Sequence, residues 1–130
     1  MISARSLVQP YRTVAGTGHH VLTADAPAGK GGGGAGFSAH ELLEAALAVC
    51  INMAVRMYAA EHSIPLAGAT THVSLRRPGK GIVRFEYALQ LSGPLSSAQR
   101  EQLWQAAGTC PVHETLSQRI EFHAEGGRFP

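Results

Sequence analysis

One stretch constrains this chain more than any other: Glu41-Leu-Leu-Glu-Ala-Ala-Leu-Ala-Val-Cys-Ile-Asn-Met-Ala-Val-Arg-Met-Tyr58, which is apolar on nearly every side. At helical spacing, Leu42, Leu43, Ala46, Leu47, Val49, Cys50, Met53, Ala54 and Met57 leave no clean polar face. A helix of that kind belongs at the centre of a fold. Ser38-Ala-His-Glu41 marks its start as a capping box, and Ser63-Ile-Pro65 stops it after Glu61-His62. The chain has 130 residues, one domain's worth, and 1–130 reads as a single domain. One subunit of this size cannot cover every side of such a helix, so a dimer is expected. Charged residues make up 15% of the chain, well below the usual figure of about a quarter. Burial against a partner would explain that, and so would an Ala/Gly-rich chain with a neutral surface.

The segments around the helix read as strands and shorter helices. Leu7-Val8, Tyr11 to Ala15 and His19 to Ala24 read as short strands, with Gly16 and Gly18 as hairpin punctuation. Ala26 to Phe37 is a glycine-rich loop. Thr71, Val73 and Leu75 alternate with His72, Ser74 and Arg76; after the turn Arg77-Pro-Gly-Lys-Gly81, Val83, Phe85, Tyr87, Leu89 and Leu91 alternate in the same way. That predicts a hairpin with one buried face. Ser96-x-x-Gln99 caps a second helix carrying Leu103, Trp104 and Ala107, Cys110-Pro111 opens a short third helix, and Arg119 to Ala124 reads as a final strand. The fold class is α+β, an antiparallel sheet wrapped on a long central helix.

Several functions are set aside on composition. A net charge of +2 gives no case for nucleic acid. Arg76, Arg77 and Lys80 flank Pro78-Gly79 and read as a solvated hairpin tip. Gly29-x-Gly31-x-x-Gly34 matches a dinucleotide fingerprint by spacing, but no parallel strand ending in an acid follows its helix; Lys30 is followed by Gly, so no Walker motif is present. No cofactor is called for. Nothing at the start resembles an export signal, and no apolar stretch is expected to reach the eighteen or so residues of a membrane span. The expected compartment is a reducing cytoplasm, where two cysteines are reactive or incidental rather than a permanent disulfide.

Those two cysteines have different settings. Cys50 lies within the apolar helix, where it is either an inert core residue or a thiol that needs a cationic or donating neighbour. Cys110 precedes Pro111-Val-His113 at a helix N-terminus, where unpaired amides stabilise thiolate. His113 lies on the same side of that turn, as a donor or base, or as a solvated histidine. Glu41 reads as a capping residue: on an ideal helix it lies about 180° round from Cys50 and roughly 13 Å along the axis. Met53, Met57 and Tyr58 read as core or as an apolar substrate wall. His62, His72 and His123 lack metal-ligand spacing, and no metal site is assigned.

Glu41-Leu-Leu-x-Ala-Ala-Leu-x-x-Cys50, Arg56-Met-Tyr-Ala59, Ile64-Pro-Leu66 and Cys110-Pro-Val-His113 follow a glycine-rich loop that begins at Asp25. In this order they resemble the OsmC/Ohr family, in its OsmC-like redox-protein branch, over about Thr13 to Phe122. The resemblance implies an intertwined homodimer with the long helices at its centre. It implies a thiol peroxidase acting on organic hydroperoxides, with Cys50 peroxidatic, Cys110 resolving, and an external dithiol as reductant. The family's peroxidases carry a glutamate ten positions before the helix cysteine, paired with an arginine of the N-terminal strands. Here His40 holds that position, Glu41 follows it, and Arg5 and Arg12 are the N-terminal arginines. The site set is therefore Cys50, Cys110, Glu41, Arg12 and His113. Candidate activators of Cys50 are Arg12, then His113, then His19 or His20. The alternative function is a non-enzymatic dimeric module that binds a small ligand or senses redox state in the same inter-subunit cleft.

Overall fold

Short alternating segments form strands where a neighbour can take up their backbone groups. In the computed structural model, which describes residues 1–126, three such strands make an antiparallel sheet: β1 (Ser3–Ser6), β2 (Thr13–Gly16) and β3 (Val21–Ala24). The register pairs Ser3 with Gly16 and Thr13 with Ala24. The first strand lies earlier than the expected Leu7-Val8, because the Leu7 N–H closes the β1–β2 turn on the Arg12 carbonyl at 2.9 Å. A 3-10 turn at Ala28–Lys30 follows within the glycine-rich loop. Helix α1 (Ala39–Glu61) comes next, then the hairpin β4 (Gly68–Gly79) and β5 (Ile82–Ser92), then α2 (Ser97–Ala107) and α3 (Pro111–Leu116). The class is α+β, as expected. Both capping boxes form: Ser38 with Glu41, and Ser96 with Gln99.

Two compact units divide the chain. The first is Met1–Ala48 with His72–Ala88, and the second is Val49–Thr71 with the chain from Leu89 onward. In the first unit the three-stranded sheet and the glycine-rich loop are organised around one carboxylate. Asp25 accepts N–H bonds from Ala26 at 2.8 Å and from Gly33 and Ala35 at 3.2 Å each, and pairs with the Arg12 guanidinium. The loop folds back so tightly that a Cβ on Gly32 would collide with the Ala26 carbonyl. Three amides of this loop are thus turned onto an internal anion, and those of Lys30, Gly31, Gly32 and Gly34 onto carbonyls of the loop itself. In the second unit the core is apolar: Ile51, Val55, Ala59, Ile64, Leu103, Ala106, Ala107 and Cys110 are all buried. Asn52 ties α1 to β4 there, donating to the Ala69 carbonyl at 2.8 Å.

Three expectations need correction. The segment Arg119 to Ala124 forms no strand: its alternation supplies two faces, but no neighbouring edge among the described residues takes up its backbone. Within a single chain, helix α1 is not buried all round. Leu47, Ile51, Val55 and Ala59 form a buried stripe at four-residue spacing, whereas Val49, Met53 and Met57 are 52%, 51% and 61% exposed, so the two methionines are not part of one chain's own core. Finally, α1 is long and apolar enough to cross a membrane by length and composition. Its buried stripe is that of a packing helix. The last four residues of the 1–130 span lie outside the described residues.

Candidate active site

A proline at the first position of a helix supplies no N–H, so the first amides that a short helix offers belong to its second and third residues. In α3 these are Val112 and His113, and each goes to a sulfur. The Val112 N–H donates to Cys50 Sγ at 3.4 Å, and the His113 N–H donates to Cys110 Sγ at 3.3 Å. Cys110 is therefore the N-cap of α3, its thiol standing where a serine or aspartate oxygen usually accepts. Cys50, on α1, is half-buried; Cys110 is fully buried, and both are free thiols. The second unit thus brings the two expected cysteines together at the end of one helix.

Their environments differ. Burial pushes the Cys110 thiol above the usual thiol range; the His113 amide pulls it down, and the neighbouring Cys50 pushes it up again through its hydrogen bond and charge. Cys110 is held as a neutral thiol. Cys50 is the less buried of the two thiols, and its Sγ accepts the Val112 N–H.

The other candidates have other work. Arg12 is committed to Asp25, with Nε 3.5 Å from Oδ2 and that nitrogen buried without a hydrogen bond. The group seen to reach Cys50 is a backbone N–H, which the ranking of Arg12, His113, His19 and His20 did not include. His113 contributes through its amide, to Cys110. His19 and His20 are exposed and donate backbone N–H bonds to Thr17 Oγ1. Glu41 closes the α1 capping box on the Ser38 N–H at 2.7 Å. His40 accepts from Arg77 at 2.9 Å, so Arg77 is more than a solvated hairpin-tip cation. No group of three His, Cys, Asp or Glu side chains among the described residues is arranged to hold a metal ion.

Sequence analysis missed Val112 and Asp25. The signal for Val112 was present in Cys110-Pro111, since proline removes the first amide and leaves the next two for whatever lies at the helix start. Asp25 could have been found as the one acid beside a run of glycines.

With the thiol pair at the start of α3 in place, the family profile described as OsmC-like protein matches residues 31–125. The chain belongs to the OsmC-like family. Solved structures share the fold. An OsmC-like protein from Mycoplasma pneumoniae superposes with a TM-score of 0.75 at 22% identity, over 89% of this chain and 85% of its own. The organic hydroperoxide resistance protein OsmC of Legionella pneumophila gives 0.65 at 23%, over 90% and 88%. The organic hydroperoxide resistance protein OhrB of Bacillus subtilis gives 0.62 at 21%, over 90% and 89%. A search of the curated proteins finds no match. In this OsmC-like chain, His40 at the start of α1 accepts a hydrogen bond from Arg77 of β4.

Proposed function

We propose that this OsmC-like protein is a thiol-dependent peroxidase that reduces organic hydroperoxides through Cys50 and Cys110. The single observation that carries the proposal is the α3 N-terminus, whose first two amides each hold one of the two sulfurs. Several of the similar structures are organic hydroperoxide resistance proteins, which supports the same substrate class.

The Cys50 thiolate attacks the distal oxygen of ROOH. The O–O bond breaks, the alkoxide takes a proton and leaves as ROH, and Cys50 becomes a sulfenic acid. The Cys110 sulfur then attacks the Cys50 sulfur; its proton leaves with the hydroxide as water, and a disulfide remains. An external dithiol reduces that disulfide and is itself oxidised. The division of labour follows from the environments. Half-buried Cys50 can meet a substrate, and its sulfur accepts the Val112 N–H. Buried Cys110, kept protonated, does not compete for peroxide and reacts once the sulfenic acid is beside it.

The working unit in this proposal is a homodimer. Val49, Met53 and Met57 lie exposed along α1, an apolar face that a second copy would cover. The proposed compartment is the cytoplasm, where free thiols persist.

The test is steady-state turnover of cumene hydroperoxide with a small dithiol. Turnover should be present in the native chain and abolished in Cys50→Ser, and with the dithiol left out Cys110→Ser should stop after a single oxidation at Cys50. Turnover that survives Cys50→Ser contradicts the proposal.

A further inference from the structure

The first unit holds an open cavity of about 650 Å³ that neither cysteine lines. Its apolar lining includes Ala4, Ala15, Leu42 and Leu75; its polar lining includes Lys30, His40 and Arg77, together with Asp25 and Glu44. The two acids are already answered from within the fold. Asp25 accepts three backbone N–H bonds and faces Arg12. Glu44 Oε1 accepts the Leu75 N–H at 2.7 Å. The two cations are not answered in this way: no ion pair among the described residues joins Lys30 or Arg77 to an acid. Arg77 donates to His40 Nε2 at 2.9 Å, and the guanidinium keeps further N–H groups to offer.

The start of α1 adds to the same balance. Ser38 and Glu41 satisfy each other's amides through the capping box. The N–H groups of Ala39 and His40, both cavity-lining residues, have no acceptor within the helix. The positive end of the helix dipole lies there. Tyr11 also lines the cavity and holds a left-handed backbone, φ 65, a costly conformation for an aromatic residue and one found at ligand sites.

We propose that this cavity binds a small amphipathic anion, its carboxylate or phosphate head held by Arg77, Lys30 and the first amides of α1, and its short apolar body laid against Leu42 and Leu75. This site is separate from the peroxidase proposal and does not depend on it, since it uses no thiol.

Calorimetric titration of the native chain with hexanoate, hexyl phosphate, inorganic phosphate and hexylamine tests the proposal. Saturable binding of hexanoate or hexyl phosphate is expected, and the tighter of the two identifies the headgroup. Arg77→Gln should weaken it by about tenfold or more and Lys30→Gln by several-fold, from the loss of charge-assisted hydrogen bonds. Cys50→Ser should leave it unchanged. Each of the following overturns the proposal: no saturable binding of either anion, equal binding of hexylamine, or affinity unchanged in both Arg77→Gln and Lys30→Gln. Inorganic phosphate binding as tightly as hexyl phosphate also contradicts it, by removing the apolar half of the site. If Arg77→Gln lowers the melting temperature, the exposed Lys30→Gln decides.

Discussion

The two units of this chain are ordered by different forces. Around Cys110 the structure rests on apolar burial, with Ile51, Val55, Leu103 and Ala107 fully enclosed. Around Asp25 the buried side chains are Leu47 and the aspartate itself, and the glycine-rich loop is gathered by hydrogen bonds to that one carboxylate. The contrast matters for function. In the proposed cycle the two thiols meet repeatedly, which a filled apolar frame favours, whereas the loop depends on one buried carboxylate whose hydrogen bonds are costly to break.

The largest expected effect tests the apolar side of that contrast. Leu103→Ala or Ile51→Ala should destabilise the protein by about 2–5 kcal/mol in urea unfolding, because each leaves a cavity in a filled core. A loss below about 1 kcal/mol would mean that this core is not the main source of stability.

The second and third effects separate the units by pH. The amides of Ala35, Ala26 and Gly33 and the Arg12 side chain outweigh burial and hold Asp25 below the usual carboxylate value. A lowered folded value means that this contribution is present above the unfolded value and is lost as pH falls through the folded one. Hydrogen-exchange protection of residues 26–37 should therefore fade below about pH 4, and should already be weak at neutral pH in Asp25→Asn. Cys110 behaves in the opposite sense. Its thiol is raised, so its contribution is complete below the unfolded thiol value and lost as pH rises through the folded one. The melting temperature should fall on the alkaline side, and less steeply in Cys110→Ala. Loop protection that ignores acid, or an alkaline limb unaltered in Cys110→Ala, would break the comparison.

The smallest effects concern the helix starts. Ser96→Ala should cost about 1 kcal/mol through the lost cap of α2. Glu41→Gln keeps the acceptor of the α1 box, so both stability and peroxidase turnover should stay within about twofold of native. A large fall in turnover with stability intact would return Glu41 to the catalytic set.

Much of this architecture was legible in the sequence because its signals are local. Ser38 and Glu41, Ser96 and Gln99, the alternation of Phe85, Tyr87, Leu89 and Leu91, and the proline after Cys110 each act within a few residues of themselves. Family membership was legible in the two cysteine motifs. Relations that the fold alone creates were not. Alternation in Arg119 to Ala124 defines two faces but cannot say whether a strand edge is available. Arg12 had the right charge to serve a thiolate, and its partner Asp25 is distant enough in sequence to escape a local pattern. Arg77 looked like a solvated turn residue until His40 was found within hydrogen-bonding distance. The donor that reaches Cys50 belongs to the Val112 backbone, and a search among side chains passes over it.

The central claim, that Cys50 and Cys110 form one redox pair at the start of α3, is tested most directly by intact-mass analysis of the reduced protein after one equivalent of cumene hydroperoxide. The account predicts a chain lighter by two hydrogens with Cys50 and Cys110 linked in a single cross-linked peptide, and in Cys110→Ser a chain heavier by one oxygen at Cys50. An unaltered mass under peroxide, or oxidation that settles on Cys110 while Cys50 stays reduced, would contradict it.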